Sequence, residues 1–407
     1  MTEIQLQGLN QSEAKRKLAS IQVVRSLRPI PDADNIEVAR VLSWDVVVKK
    51  GSVEVGSKVV YFEIDSFLPD TKEYEFLGYA KVNPITLNTP SEEFGHRLRT
   101  AKLRNQVSQG LAMPFSTFED SVASKLSELN EGADVTQLLG ISKFERPEVA
   151  GSLGVSVSDF PTRYASKTDE ERIQNEPHDY NALLGQPYFA TAKYDGTSTT
   201  VIWIPEEGKF IYATRNIELI PGNQIEKTLK ANGVYDKIKE FKDGLLVLQS
   251  ELYGQGVQGN AVGIRGQRMA TFNIFVDGVR QSLLNSIKIA GKLGLELPDV
   301  LRLGVSPEED ELIRKEIKLI NKERKNHNPV SVDQKTGGPL PIFVEENSKE
   351  VFDKTIDELI DDANGTKYKR TPKALEGLVY RPTEETKSPN HYSFKVINNK
   401  FLLKSKD

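Results

Sequence analysis

The chain has 407 residues, a formal net charge of −4 and no cysteine. The absence of cysteine excludes disulfide bonds, thiolate zinc sites and cysteine nucleophiles, so any metal ion must be held by oxygen or histidine ligands. No apolar run approaches the roughly 18 residues of a transmembrane helix, and the polar N-terminus lacks the apolar core of a signal peptide. These features predict a cytoplasmic protein with no membrane partner, and no segment indicates a protein partner.

Residues 1–145 contain short apolar runs separated by turn signals, such as KVVYFEID at residues 58–65. Several short strands at this spacing predict a small barrel, and five strands with one helix are typical of the OB-fold. Residues 121–139 predict the helix, with Val122, Leu126 and Leu129 on one face. The segment RLRTAKLR at residues 97–104 has four basic and no acidic residues, which makes it a candidate nucleic-acid contact.

Residues 146–182 are polar and predict a linker with a short helix, in which Arg172, Gln174 and Asn175 fit a solvated helix face better than a nucleic-acid contact. Residues 183–407 predict a second domain of alternating strands and helices. Amphipathic patterns predict its helices, at residues 225–241, 281–293, 308–325 and 351–362. Residues 306–370 are expected to be a helical elaboration on its surface.

The stretch YFATAKYDGTSTTVIW at residues 188–203 alternates at the strand period and predicts a β-hairpin that presents Lys193. Asp195-Gly196 is a dipeptide that tight hairpin turns favour. The end of a largely buried strand is an unusual place for a solubilising lysine, and desolvation or a nearby cation would lower its pKa and make the amine a nucleophile. The alternative is a lysine that extends into solvent beside a turn.

Further motifs follow Lys193 in a fixed order. Their residues are Arg215-Asn216 after the strand FIYAT, Glu251 at the end of LLVLQS, FNIFVD at 272–277, EGLVY at 376–380 and SFKV at 393–396. This series resembles the covalent nucleotidyltransferases, the superfamily of polynucleotide ligases and mRNA capping enzymes. Three segments near the N-terminus, PDAD at 31–34, YFEID at 61–65 and SQGL at 108–111, resemble the ATP-dependent RNA ligases that have an N-terminal OB domain and no C-terminal one.

The resemblance implies an α+β fold, in which an OB-fold β-barrel precedes a nucleotidyltransferase domain. That domain would be an ATP-grasp-like adenylation domain of antiparallel sheets flanked by helices. The boundaries expected are residues 1–145 for the OB domain, 146–182 for the linker and 183–407 for the adenylyltransferase domain.

The resemblance also implies roles for individual residues. Lys193 would attack the α-phosphate of ATP, and Lys395 would lie on that phosphate. Asp195, Glu251 and Glu376 would hold Mg²⁺ or Mn²⁺ through its water shell, because magnesium keeps several waters. The two glutamates are costly to bury unless they are paired, which argues against a purely structural role.

The remaining predicted contacts bind the nucleotide. Asp195-Gly196 and Arg215 would contact it, and Arg215 would touch the ribose or the 5′-phosphate of the acceptor strand, with a surface salt bridge as the alternative. Phe275 would stack on the adenine, opposite Leu378 or Val379, although ordinary core packing explains Phe275 nearly as well.

One departure from the family pattern concerns the last motif. Many members have lysines two residues apart there, whereas Lys395 is followed by Val396 and Ile397. Either Lys395 acts alone, or Lys400 or Lys404 substitutes for the second lysine.

The function implied is an RNA ligase that joins 3′-OH and 5′-phosphate ends, with a nicked RNA duplex as the expected partner and RNA repair as the expected role. The steps would be a lysine–AMP intermediate, an AMP-capped 5′-phosphate and phosphodiester formation. A DNA ligase or a capping guanylyltransferase is an alternative, although those families usually carry an OB domain after the last motif. A second alternative is a non-catalytic nucleic-acid-binding protein, which the intact Lys193, Glu251, Glu376 and Lys395 oppose.

Overall fold

The computed structural model describes residues 16–78, 80–81, 94–144, 153–167, 170–327, 340–347, 349–369, 371–387 and 392–404. They divide into two compact units. The OB unit comprises the described parts of Ser12–Val149 and Leu402–Asp407 together with Gln174–Glu176, and the ligase unit comprises the described parts of Ala150–Ile173 and Pro177–Phe401. No described helix has the length and apolar composition that crossing a bilayer requires.

In its described residues, the OB unit has short antiparallel strands, one short α-helix and two short 3-10 helices. Its strands are β1 (Ala19–Pro29), β2 (Ile36–Val41), β3 (Trp44–Lys49), β4 (Lys58–Phe62), β5 (Ser66–Pro69), β6 (Ala80–Lys81), β7 (Phe94–Arg97), β8 (Ala101–Leu103), β9 (Gln106–Ser108), β10 (Leu111–Pro114) and β11 (Ser142–Lys143). The first sheet has the order β10-β4-β1-β2-β3 and the second β11-β5-β7-β6. Strand β1 pairs with β4 through its first half and with β2 after an irregularity between Val24 and Ser26, which curls the first sheet.

Helix α1 (Asp120–Ser127) is shorter than the predicted helix over residues 121–139. Leu126 is fully buried, and Val122 and Leu129 pack against the same apolar cluster, so the predicted face is the one that packs. The chain turns soon after the helix at Gly132, which has a left-handed φ of 82° that only glycine adopts without strain.

The ligase unit is built on two sheets. Its strands are β12 (Ser156–Asp159), β13 (Glu171–Arg172), β14 (Tyr188–Lys193), β15 (Thr197–Ile204), β16 (Lys209–Ala213), β17 (Ile217–Leu219), β18 (Leu246–Gly254), β19 (Gln267–Val276), β20 (Val279–Arg280), β21 (Val300–Gly304), β22 (Gly377–Pro382), β23 (Thr386–Lys387) and β24 (Phe394–Ile397). The large sheet has the order β12-β17-β16-β15-β18-β19-β20-β23, and the small sheet β13-β24-β22-β14-β21. All pairs are antiparallel except β13 with β24. The segment predicted as a linker therefore supplies a strand to each sheet.

Helices cover both sheets. They are α2 (His178–Leu183), α3 (Gln224–Ala231), α4 (Tyr235–Lys239), α5 (Leu283–Leu293), α6 (Pro307–His327), α7 (Ile356–Gly365) and α8 (Asn399–Lys404). The single helix predicted over residues 225–241 is two helices, because Gly233 takes a φ of 69° between them. Helix α7 begins later than predicted, since Thr355 and Glu358 form a capping box at its start.

The segment at residues 306–370 is more than the expected surface elaboration. Phe352, Leu359 and Tyr368 are buried in the same apolar cluster as Tyr188 and Tyr380 of the small sheet. Helix α7 therefore covers one face of the small sheet and leaves its other face for polar side chains.

Candidate active site

Lys193 is the last residue of β14, but the predicted β-hairpin around it is wrong. Strand β14 belongs to the small sheet and β15 to the large sheet, so residues 194–196 are the crossing between the sheets. Gly196 does not have the left-handed φ expected of a tight turn. It is needed for close approach instead, because a β-carbon there would collide with the carbonyl oxygen of Leu252 and lie 2.9 Å from Cγ of Glu251.

Strand register brings Glu376 to the lysine. Lys193 pairs with Gly377 across β14 and β22, so the preceding residue, Glu376, lies at the same end of the small sheet. The Lys193 Nζ lies 2.6 Å from Glu376 Oε1, and the two side chains are 27% and 16% exposed. An ion pair this short and partly shielded from water is a strong, charge-assisted hydrogen bond.

The third member, Glu251, comes from the large sheet. It pairs with Ser198 across β15 and β18, and the crossing at Gly196 brings it to the lysine. Burial raises the pKa of Glu251 to about 8, a rise that Lys193 and Arg215 oppose and that Glu376 and Asp195 reinforce. These interactions place four of the predicted site residues within electrostatic range of Glu251.

The charge state of Lys193 differs from the predicted one. Burial lowers the pKa of its ammonium, but Glu376 and Glu251 outweigh burial and raise the pKa above its ordinary value. In the protein alone, Lys193 is therefore an ammonium ion held between carboxylates, and desolvation by itself does not make it a free amine.

A divalent cation fits the carboxylates through water. Within the described residues, no three acidic or histidine side chains lie close enough to coordinate one metal ion directly. Glu376 and Asp195 nevertheless each repel the charged form of Glu251, a repulsion that a hydrated cation would relieve, and Mg²⁺ commonly keeps several of its waters.

The open face of the small sheet carries Lys395. Thr191, Val379 and Lys395 are paired across β14, β22 and β24, so they share the face of Lys193. Arg172 pairs with Lys395 across β13, is only 8% exposed and is therefore not on a solvated helix. Gln174, 2% exposed, and Asn175 belong to the OB unit instead, where Asn175 accepts a hydrogen bond from Trp44.

The position of Leu378 in the structure contradicts the prediction that this side chain contacts the adenine. It pairs with Ala192 and Val396 on the opposite face of the small sheet and is fully buried in the core under helix α7. Because side chains alternate along a strand, Val379 is the residue that faces the site.

Phe275 lies in β19 and packs against a cluster that includes Phe160, Ile202 and Val247, in agreement with the alternative of core packing. A bulge between Gln249 and Ser250 leaves Phe272 as the extra residue of β19. The guanidinium of Arg381 lies 5.6 Å from the ring centroid of Phe272, and Arg381 is on the same face of β22 as Val379, so Phe272 is an aromatic side chain that contacts this face.

The site contains two side chains that the sequence did not predict there, Arg381 and Tyr368. Arg381, 1% exposed, donates hydrogen bonds to Thr191 Oγ1 and Glu170 Oε1, each at 3.0 Å. Tyr368 accepts a hydrogen bond of 3.3 Å from the backbone N–H of Asp195. Strand alternation from Lys193 would have pointed to Thr191, but no local pattern connects Arg381 or Tyr368 with the lysine.

Arg215 is exposed, and so are Lys400 and Lys404, the two candidates for the second lysine of the last motif. Arg215 lies between β16 and β17 and is exposed, although its charge still lowers the pKa of Glu251. Ile397, which stands where the family pattern predicts a second lysine, is 4% exposed and pairs with Gly377. Lys400 and Lys404 are exposed residues of α8.

Comparison with known proteins gives a consistent result. The RNA ligase family profile matches residues 186–397, just over half of the chain, and an OB-fold domain profile matches residues 18–115. A Naegleria gruberi RNA ligase mutant solved with ATP and Mn is 29% identical, with a TM-score of 0.69 over 96% of this chain and 100% of that chain. A mutant of the same ligase with AMP and Mn is 29% identical, with a TM-score of 0.70 and the same coverage. The Naegleria gruberi RNA ligase with PPi is 29% identical, with a TM-score of 0.68 over 96% of this chain and 99% of that chain.

No curated protein sequence matches the chain. The family match covers every catalytic residue predicted above, and the predicted α+β fold with an N-terminal OB-fold domain is confirmed. The chain belongs to the RNA ligase family.

Proposed function

We propose that the protein is an ATP-dependent RNA ligase that works through a covalent lysine–AMP intermediate. The Lys193 ammonium loses one proton before it attacks the α-phosphate of ATP, and a second as the P–N bond forms and the bond to pyrophosphate breaks. The AMP then passes to the 5′-phosphate of one RNA end, which regenerates the lysine. Finally the 3′-OH of the other end attacks that 5′-phosphate, and AMP leaves as the phosphodiester forms. The observation that carries this proposal is the Lys193–Glu376 ion pair, with Glu251 beside it at the crossing between the two sheets.

The predicted cofactors, ATP and a divalent metal ion, agree with the ATP, AMP and Mn bound in the Naegleria gruberi ligase structures. Pyrophosphate, bound in another of them, is the leaving group of the first step. When bound, the metal ion would neutralise the phosphate oxygens and the carboxylates that now hold the lysine as an ammonium. Asp195, Glu251 and Glu376 are the residues that would hold it, through water.

Other side chains of the protein bind the triphosphate, the ribose and the adenine. Lys395 and Arg172, adjacent in the register of the small sheet, supply positive charge for the triphosphate. Arg215, on the exposed rim, contacts the ribose or the acceptor 5′-phosphate. Phe272 stacks on the adenine in place of Phe275, and Val379 contacts its other face in place of Leu378.

We propose that the RNA is a duplex with a 3′-OH and a 5′-phosphate at a nick, and that sealing serves RNA repair. In the OB unit, strands β8 and β9 form a separate two-stranded arm on which Arg99, Lys102 and Arg104 are exposed. None of the three has an ion-pair partner among the residues described here, whereas Arg97 lies 3.0 Å from Asp65 and stacks on Phe144. The arm therefore has positive charge available for phosphates.

A labelling and sealing assay tests the proposal. The protein should acquire label from α-labelled ATP but not GTP, and it should seal a nicked RNA duplex while leaving a DNA duplex open. Labelling by GTP would favour the capping guanylyltransferase, and sealing of DNA alone would favour the DNA ligase. No covalent label with either nucleotide would leave only the binding protein.

A further inference from the structure

Tyr368 lies in the segment expected to be a surface elaboration, yet its hydroxyl lies at the active site. Its oxygen accepts the backbone N–H of Asp195 at 3.3 Å, and the side chain is 6% exposed. The tyrosine ring is tilted against that of Tyr194, with ring centroids 5.9 Å apart. Tyr368 therefore contacts both residues of the crossing that directly follow Lys193.

The same tyrosine is tied to Glu376. The backbone N–H of Tyr368 donates to the carbonyl of Lys373 at 3.1 Å, and that of Leu375 donates to the carbonyl of Thr366 at 3.2 Å. Lys367 and Ala374 form an antiparallel bridge between these two bonds. Tyr368 thus stands on one arm of a small hairpin whose other arm leads directly into Glu376.

These contacts couple the two halves of the ion pair. The side-chain oxygen of Tyr368 holds the Tyr194–Asp195 peptide, one residue beyond the lysine. Its backbone N–H holds Lys373, three residues before the glutamate. A hydroxyl that accepts one hydrogen bond still has its own proton to donate. The carboxylates of Glu376, Asp195 and Glu251 all act electrostatically on this hydroxyl.

We propose that Tyr368 is a positioning residue for lysine adenylation. Its hydroxyl fixes the crossing at residues 194–196, and with it Lys193, relative to Glu376. This inference rests on the proposed function. Because a misplacement of about 1 Å can cost roughly 10²-fold in rate, a single hydrogen bond at this point affects the chemical step more than ATP binding.

The test replaces Tyr368 with phenylalanine, which keeps the ring and removes the hydroxyl. Tyr180→Phe is the matched control, because Tyr180 packs against the same apolar cluster and its hydroxyl donates to the carbonyl of Lys354 at 3.1 Å. Both variants should melt at similar temperatures and show the same rise in melting temperature with ATP and Mg²⁺. Only Tyr368→Phe should lower kcat for enzyme–AMP formation, by about tenfold, with KM for ATP changed less than about twofold.

Two results would overturn the inference. If Tyr368→Phe forms enzyme–AMP as fast as Tyr180→Phe, the hydroxyl serves only the fold. If KM rises while kcat stays constant, the hydroxyl acts in ATP binding. Lys193→Ala separates this failure from failure of the proposed function: a Lys193→Ala protein that still accepts AMP disproves the assigned nucleophile, whatever Tyr368 does.

Discussion

Lys193 illustrates why this site combines one amine with three carboxylates. The carboxylates keep the lysine protonated and aligned before substrate arrives, since Glu376 and Glu251 raise its pKa above the ordinary value. The same carboxylates are costly together, because burial and mutual repulsion raise the pKa of Glu251 to about 8. An added cation would relieve the repulsion and weaken the hold of the carboxylates on the lysine proton.

Gly196 gives a prediction at the residue scale. Gly196→Ala should lower the rate of enzyme–AMP formation by about 10²-fold, because the added β-carbon displaces the crossing away from Leu252 and Glu251. Gly365→Ala is the control, since a β-carbon there meets nothing within 4 Å and alanine favours the helix. Equal adenylation rates in the two variants would show that the close approach at Gly196 is unimportant.

The elements show which parts of the fold the sequence could predict. Strand periodicity placed Lys193, Glu251 and Lys395 at strands correctly, and helix α6 lies where its apolar stripe predicted. Which strands pair with each other is not a local property of the sequence. The Asp195-Gly196 dipeptide fits a hairpin turn, but here the chain crosses from one sheet to the other, so the hairpin prediction failed. The bulge opposite Gln249 likewise changes which side chains of β19 share a face, since one extra residue inverts the alternation of side chains.

A buried ion pair gives a prediction at the element scale. Arg268 of β19 lies 2.7 Å from Glu296, and the two side chains are 2% and 7% exposed. Glu296→Gln leaves the guanidinium without its counter-charge and should lower the free energy of unfolding by about 3–5 kcal/mol, measured by urea denaturation. Asp243→Asn, which removes the exposed pair of Asp243 with Lys292, should cost less than about 1 kcal/mol. Equal losses would mean that Arg268 finds another partner.

At the scale of the whole molecule, the residues to which we assign separate tasks lie in separate units. All the residues assigned to ATP chemistry lie in the ligase unit, while the exposed cations of the β8–β9 arm lie in the OB unit. The net charge of −4 conceals this arm, because a sum over the chain averages out local patches. Composition alone could therefore not point to this arm.

Because the arm and the ATP site lie in different units, we expect substitutions in the arm to affect RNA binding but not adenylation of the enzyme. Replacing Arg99, Lys102 and Arg104 with alanine should leave enzyme–AMP formation unchanged and weaken binding to nicked RNA. The slope of log affinity against log salt should fall by about 0.9 for each phosphate that the arm no longer neutralises. The control removes three exposed lysines of the same unit, Lys49, Lys72 and Lys125. An unchanged slope in the arm variant would assign the arm to another task.

The most direct test of the central claim is to locate the covalent nucleotide. The protein is incubated with ATP and Mg²⁺, digested and analysed by mass spectrometry, beside a Lys193→Ala variant whose melting temperature is checked. We expect one AMP on the peptide that contains Lys193 and no AMP anywhere on the variant. An AMP on another lysine, or equal labelling of the Lys193→Ala variant, would contradict the assigned active site.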